Sequence, residues 1–177
     1  MLELAILGFL RERPMHGYEL RRRVAALTGH VRPIADGTLY PAIKRMEAAG
    51  WLTRETRAGT AAAPRHMLHL TPAGEEELLR RLGRPEELDI SDENRWFVLL
   101  AFLRDLEEPR AQAEVLRRRL AFLEQPSSFF YEDDRPVRAE EQDDPFRHGM
   151  LTIARATSEA ETAWLRTTLA ELEDRRP

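Results

Sequence analysis

Apolar residues recur at helical spacing in three successive segments at the start of the chain. The first runs from Leu2, with one apolar face, until Pro14 closes it. The second extends from Gly17 to Leu27. The third follows Asp36, a residue suited to cap a helix, and stops before Gly50. The pattern predicts three amphipathic helices that share a small core.

Two short strand-like segments follow the third helix. They are Trp51 to Arg57 and Arg65 to Leu70, and they flank a stretch rich in alanine, residues 58–64, that contains Gly and Pro. This arrangement predicts a β-hairpin with a loosely specified tip. Thr71 and Pro72 then favour a fourth helix, because Thr can cap it and Pro suits its first position. Three helices and a hairpin of this size predict a winged helix-turn-helix.

The segment Gly83 to Pro85 predicts a break between two domains, since both Gly and Pro disfavour continuing the fourth helix. We therefore expect a DNA-binding domain over residues 1–83 and a helical dimerisation and effector-sensing domain over residues 84–177. The predicted fold is mainly α with a small β-hairpin wing. Helices are predicted in the second domain over residues 94–106, 110–125 and 146–173, with an acidic, proline-punctuated mobile loop over residues 126–145.

Residues Trp96 to Leu103 are apolar around the whole circumference of their predicted helix, so this helix has to be covered on several sides. By this reasoning, the three C-terminal helices of one chain are too few to cover it. A second copy of the chain would complete the cover and supply a second recognition helix. The pattern predicts a homodimer.

The two ends of the chain differ in charge. Formal net charge is −4, but residues 1–70 hold 11 basic and 6 acidic side chains of the 27 and 31 in the whole chain. The remaining 16 basic and 25 acidic residues make the rest of the chain acidic. A basic module joined to an acidic one is typical of a protein that meets nucleic acid at one end only.

Other classes of protein find little support. There is no cysteine, which excludes disulfides and thiolate metal sites. The acidic Glu3 stands where a signal peptide needs positive charge, and the longest apolar run is far short of the roughly 20 residues of a membrane span. We predict a cytoplasmic protein without membrane segments, metal or cofactor. The scattered histidines are interpreted as ordinary structural or surface residues, and the acidic segment as a solvated loop.

The third helix carries the candidate chemistry. With its apolar stripe turned inward, the helical period places a small, cationic surface outward that includes Pro41, Lys44 and Arg45. Such a face can enter a major groove, where Lys and Arg reach guanine acceptors or phosphates. Thr38 and Tyr40 lie near the helix start, where hydroxyls and amides commonly hold a phosphate. The alternative interpretation is a merely solvated helix face.

Two segments of this region, Pro14 to Leu20 and Gly37 to Leu52, resemble the two signature segments of PadR-type transcription regulators in order and spacing. The resemblance implies a winged-helix repressor that dimerises through its C-terminal helices and is released from its operator by small aromatic or hydrophobic compounds or by other signals. Tyr18 and Tyr40 would hold the DNA backbone. The wing departs from the usual pattern, because its tip is rich in alanine. The predicted DNA-binding residues are Tyr18, Arg22, Thr38, Tyr40, Pro41, Lys44, Arg45, Arg57 and Arg65.

An effector site is predicted where the winged helix meets the C-terminal helices, because a repressor must couple its ligand to the spacing of its two recognition helices. The candidates are Trp96, Phe97, Leu100 and Trp164, whose rings can stack on a planar apolar compound. Plain core packing is the alternative for Trp96 and Trp164.

Taken together, these features predict a ligand-responsive repressor that binds an inverted-repeat, double-stranded operator as a homodimer. A winged-helix module that binds proteins without DNA is the second hypothesis, against which the cationic third helix argues. An enzyme is the third, and the chain lacks any nucleophile–base pair or glycine-rich phosphate loop for it.

Overall fold

A computed structural model describes residues 1–27, 36–57, 65–126 and 129–174. The chain divides into two compact units, Met1–Glu107 and Glu108–Pro177. Within the described residues, no helix is long and apolar enough to cross a membrane.

The first unit contains the predicted winged helix-turn-helix, with one additional strand near its start. The three N-terminal helices, the hairpin and the fourth helix are confirmed. Its elements are α1 (Leu2–Glu12), β1 (Met15–His16), α2 (Gly17–Leu27), α3 (Asp36–Ala48), β2 (Leu52–Arg57), β3 (Arg65–Leu70), α4 (Pro72–Gly83), α5 (Glu87–Ser91) and α6 (Glu93–Phe102).

A three-stranded antiparallel sheet in the order β1-β3-β2 closes one side of this unit. The strands of the predicted hairpin pair from Leu52 opposite Leu70 to Arg57 opposite Arg65. Strand β1 adds only two residues, with Met15 opposite Leu68. The sequence pattern did not predict β1, because two residues are too few to display a strand period.

The start of α4 is fixed by the predicted cap. The Thr71 hydroxyl accepts a hydrogen bond from the amide of Gly74 at 3.0 Å and donates one to the carbonyl of Gly50 at 2.6 Å. A Cβ on Gly74 would lie 2.2 Å from the carbonyl oxygen of Trp51, so only glycine fits there. One side chain thus links the turn after α3 to the beginning of α4.

Helix α6 belongs to the first unit and packs against α1. The rings of Phe9 and Phe102 meet edge to face with centroids 5.1 Å apart, and Phe102 also lies over Gly8. The first unit therefore continues past the boundary that we predicted at residues 83 and 84. Assignment of separate functions to residues 1–83 and 84–177 stays a prediction.

The apolar circumference of α6 is largely covered by its own chain. Trp96 and Leu99 are fully buried and Phe102 is 4% exposed, whereas Phe97 is 46% exposed. Our reasoning that this helix needs a second copy of the chain was therefore wrong, because the first unit itself supplies most of the cover, and α1 contributes to it through Phe9 and Gly8. The helix is also shorter than predicted, since a 3-10 turn, Leu103–Asp105, replaces its last residues.

The second unit is built on two helices, α7 (Pro109–Leu123) and α8 (Pro145–Asp174), at the predicted places. Arg119 of α7 is 3% exposed, and its Nε and Nη2 donate to the two carboxylate oxygens of Glu161 on α8 at 2.8 and 2.9 Å. A buried, bidentate ion pair thus joins the two helices.

The segment predicted as a loop over residues 126–145 contains a second hairpin, formed by β4 (Tyr131–Glu132) and β5 (Arg135–Pro136). Its turn places Asp133 and Asp134 at φ angles of 48° and 60°, in the left-handed region that Asp tolerates better than most residues. A 3-10 turn, Ala139–Glu141, follows. The sequence did not predict this hairpin, because each strand has only two residues, too few to show an alternation of apolar and polar positions.

Candidate nucleic-acid interface

Helix α3 has one buried and one exposed face, as the period of its sequence predicts. Its inward residues Leu39, Ala42, Ile43 and Met46 are at most 1% exposed. The outward side is formed by the exposed residues Gly37, Thr38, Tyr40, Pro41, Lys44, Arg45 and Ala48. Every predicted DNA-binding residue of α3 thus lies on the solvent side, and the core fixes the rotation of the helix.

The start of α2 lies beside the start of α3. Tyr18 and Tyr40 are 61% and 43% exposed, and a Cβ on Gly17 would lie 3.4 Å from the ring of Tyr40. Arg21 stacks over the Tyr18 ring at 5.5 Å, and Arg22 is exposed. Two phenol groups therefore lie close together where α2 meets α3, and Arg21 stacks on one of them.

The two cations of α3 have different surroundings. Lys44 is exposed, whereas Nη2 of Arg45 lies 3.3 Å from a carboxylate oxygen of Glu3 on α1. The other oxygen of Glu3 lies 3.3 Å from Nη2 of Arg81 on α4. Arg45 keeps a 65% exposed side chain, so it is held at the edge of the face by a weak ion pair.

The same network continues along α4. Hydrogen bonds from Arg80, and then from Arg81, lower the pKa of Glu77 to about 2, although partial burial opposes the shift. Arg81 also lies over the ring of Trp51 at 5.1 Å. The sequence did not predict this network, because its members come from α1, α3 and α4.

The base of the wing places two arginines opposite each other, since the backbones of Arg57 and Arg65 form the last pair of the hairpin before residues 58–64. Their side chains and the tip, residues 58–64, lie outside the described residues. Their predicted contact with DNA stays a prediction.

A cavity of about 390 Å³ lies between the α2 and α3 helices and the sheet. The exposed Tyr18 and Tyr40 line it together with the buried Ile43 and Leu68. His16, Arg54 and His66 also line it. Sequence reasoning missed these polar residues, because they lie on three different strands and share no spacing.

The predicted effector residues are divided between the two units. Trp96, Phe97 and Leu100 lie on α6 of the first, and Trp164 lies on α8 of the second. Trp96 is fully enclosed, whereas Phe97 and Trp164 are 46% and 44% exposed. Phe97 and Trp164 thus offer accessible rings, and Trp96 is part of the core.

The histidines do not form a metal site in the part of the chain that the structure describes, where no group of three metal-binding side chains occurs. Nδ1 of His16 donates to the carbonyl of His66 at 2.9 Å, and Nε2 of His69 lies 3.2 Å from Glu55. His30 lies outside the described residues.

Comparison with known proteins agrees with this geometry. Residues 6–80, which span the helices and the hairpin just described, match the sequence model of the Transcriptional regulator PadR-like family. The chain belongs to this PadR-like family. The members of the family are transcriptional regulators. No curated protein sequence matches this PadR-like chain.

Several solved structures are similar to this PadR-like protein. A transcriptional regulator from Thermoplasma acidophilum is 31% identical, with 45% of this chain and 75% of that chain covered and a TM-score of 0.42. PadR from Bacillus subtilis in complex with operator DNA is 23% identical, with 97% and 98% covered and a TM-score of 0.45. The same protein in complex with p-coumaric acid is 21% identical, with 97% and 98% covered and a TM-score of 0.43.

Proposed function

We propose that this PadR-like protein is a repressor that binds an inverted-repeat operator as a homodimer and releases it when a small aromatic or hydrophobic compound binds. The exposed face of α3 is the observation that carries the proposal. It presents Lys44, Arg45 and Thr38 to solvent, while its opposite face is completely buried. Because the core prevents this helix from rotating, the cationic surface is held outward for a groove.

The tyrosines beside α3 support a role in holding the DNA backbone. Phenol hydroxyls commonly bind phosphate oxygens, and such contacts fix the register of a protein on the duplex without reading its sequence. Tyr40 and Lys44 are one turn apart on the exposed side of α3, and Tyr18 lines the same cavity as Tyr40. We assign backbone positioning to the tyrosines and to Arg22, and contacts at the groove, to base edges or to the phosphates beside them, to Thr38 and the cations of α3.

Helix α8 supports the homodimer. Its buried residues, including Leu151, Leu165 and Leu169, lie on one face. A second stripe on another face is exposed at spacings of three and four residues, the period of a coiled-coil seam. Its members are Phe146, Met150, Ile153, Thr157, Ala160 and Trp164. A second α8 is the occupant that fits best, because such a stripe matches a copy of itself across a two-fold axis.

The effector is proposed to bind at Phe97 and Leu100 on α6, two of the residues that the sequence suggested, whereas Trp164 is assigned to the exposed stripe of α8. Accessible rings can stack on a planar compound. A compound that binds the DNA-free conformation more tightly than the DNA-bound conformation would shift the protein away from the operator. Trp96 is enclosed, so in this proposal it supports the site from the core and does not contact the ligand.

Selection of bound duplexes from a random pool tests DNA binding and symmetry together. We expect an inverted repeat with half-sites about one helical turn, or roughly 34 Å, apart. On the recovered operator, the double variant Lys44→Ala, Arg45→Ala should bind more weakly. For this variant, the slope of log affinity against log salt concentration should also be shallower, by up to about 0.9 for each phosphate contact that is lost.

The matched control removes two positive charges elsewhere, through Arg104→Ala and Arg110→Ala at exposed positions. It changes net charge equally, so a loss common to both double variants would reflect charge alone. Equal binding by the parent and the α3 variant at one ionic strength would show that α3 does not read DNA. Failure to recover any duplex would favour a protein-interaction module.

Light scattering on Ile153→Glu tests the dimer. A charge in the middle of the exposed stripe should convert the dimer to a monomer, because it would be buried without a partner. Thr152→Glu is the control, since Thr152 is exposed outside the stripe. A monomeric parent, or an unchanged dimer in Ile153→Glu, would contradict the assignment of α8.

A further inference from the structure

We infer that the cavity between Tyr18, Tyr40 and the sheet is a ligand site for an uncharged, planar apolar molecule. It is called the tyrosine cleft below, and it is separate from the proposed effector residues on α6. Its volume of about 390 Å³ lies within the range of roughly 300–1,000 Å³ that is usual for small-molecule sites.

The walls of the tyrosine cleft favour a flat apolar occupant. Ile43 and Leu68 are 1% and 2% exposed and form its buried surface, while the rings of Tyr18 and Tyr40 remain accessible. Aromatic rings bind planar partners through offset or edge-to-face contacts. Gly17 also lines the cleft, and its lack of a side chain keeps the space beside Tyr40 open.

Charge selects against an ionic occupant. Among the described residues that line the cleft, the one permanent charge is Arg54. Its Nε and Nη2 donate to the two carboxylate oxygens of Glu47 at 2.8 and 2.9 Å, so this charge is already neutralised by a bidentate partner. An anionic ligand would have to give up water without gaining a new counter-charge.

The polar groups of the cleft are held in place. Because a carbonyl oxygen can only accept, His16 donates its Nδ1 proton to the backbone of His66. This bond crosses from β1 to β3 and fixes the imidazole ring. The cleft is therefore shaped by side chains whose positions the sheet and the ion pair maintain, and binding requires little reordering.

Because of the position of the cleft, a bound ligand would affect DNA binding. Under the proposed function, on which this step rests, Tyr18 and Tyr40 contact the DNA backbone. A molecule lodged between the same two rings would compete directly with DNA. The PadR-like reading domain would then respond to an apolar compound without any signal from the second unit.

Two fluorescent probes with the same ring skeleton test the inference on the full chain. N-phenyl-1-naphthylamine is uncharged, and 8-anilinonaphthalene-1-sulfonate carries an added sulfonate. The uncharged probe should bind the parent saturably, and His66→Trp should weaken this binding about tenfold or more by filling the cleft. Trp suits a strand and keeps the backbone carbonyl that His16 contacts.

His69→Trp is the matched control, since His69 lies on the same strand but does not line the cleft. It should change the affinity for the uncharged probe by less than about twofold. Cooperative thermal unfolding of both variants, followed by circular dichroism, verifies that each is folded. Loss of binding in both variants, or in neither, overturns the tyrosine cleft as the site.

The sulfonate tests the class of ligand. If its binding is as tight as that of the uncharged probe and equally sensitive to His66→Trp, the inferred neutral class is wrong. A competition with the recovered operator separates this inference from the proposed function. Displacement of the uncharged probe by DNA supports both. Binding that depends on His66 but resists DNA supports the ligand site and contradicts the DNA contact of the tyrosines.

Discussion

Replacement of Phe102 tests whether α6 is a structural part of the reading unit. Phe102 is 4% exposed, its ring packs edge-on against Phe9, and it fills the space over Gly8. Phe102→Ala removes nearly a whole buried ring, and Gly8 has no side chain that could fill the void. Such substitutions cost about 3–5 kcal/mol, and we expect about 4 kcal/mol here. At about 4 °C per kcal/mol, the midpoint temperature of thermal unfolding should fall by roughly 15 °C.

The assay is thermal and urea unfolding followed by tryptophan emission in a Trp164→Phe background. The remaining tryptophans, Trp51 and Trp96, both lie in the first unit, so the signal reports on that unit. Phe97→Ala on the same helix is the control. Its side chain is 46% exposed, and we expect a loss of about 1 kcal/mol from its smaller buried area.

A double-mutant cycle with Gly8 isolates the contact. A Cβ on Gly8 would lie 2.4 Å from Cδ1 of Phe102, so Gly8→Ala should cost about 1–3 kcal/mol in the parent through overpacking. Without the ring, the methyl group has room and Ala favours the helix, so the same change should be neutral or stabilising. Additive effects, or a loss below about 1 kcal/mol in Phe102→Ala, would refute the packing of α6 on α1.

Three further results are expected. Glu161→Ala should destabilise the second unit by about 3–5 kcal/mol in urea unfolding, because Arg119 keeps a buried charge without its carboxylate; a loss under about 1 kcal/mol would contradict this. Glu3→Gln removes the carboxylate that pairs with Arg45, so the slope of log operator affinity against log salt concentration should become steeper by about 0.9 in fluorescence anisotropy titrations. An unchanged slope would show that Arg45 does not contact phosphate. Glu77 has a pKa lowered to about 2, so it stabilises the fold above its unfolded-state value of 4.5 and loses this effect as pH falls towards 2. The stability difference between the parent and Glu77→Gln should shrink over that interval in urea titrations, and a constant difference would contradict the ion network.

The helical period alone predicted which side of α3 is buried. Leu39, Ile43 and Met46 could be assigned to the core, and Lys44 to solvent, because a helix repeats every 3.6 residues whatever surrounds it. The cap at Thr71 was equally local, since its partner is only three residues away. Both features depend on neighbours in the chain, and the sequence displays those directly.

Contacts between distant segments were decided only by the tertiary structure. The apolar circumference of α6 indicated that the helix must be covered, but not that α1 of the same chain covers it through Gly8 and Phe102. The pair of Arg45 with Glu3 and the tyrosine cleft likewise join elements that no spacing relates. A periodic pattern reports how much surface an element must bury, whereas its partner is selected by packing among all elements at once.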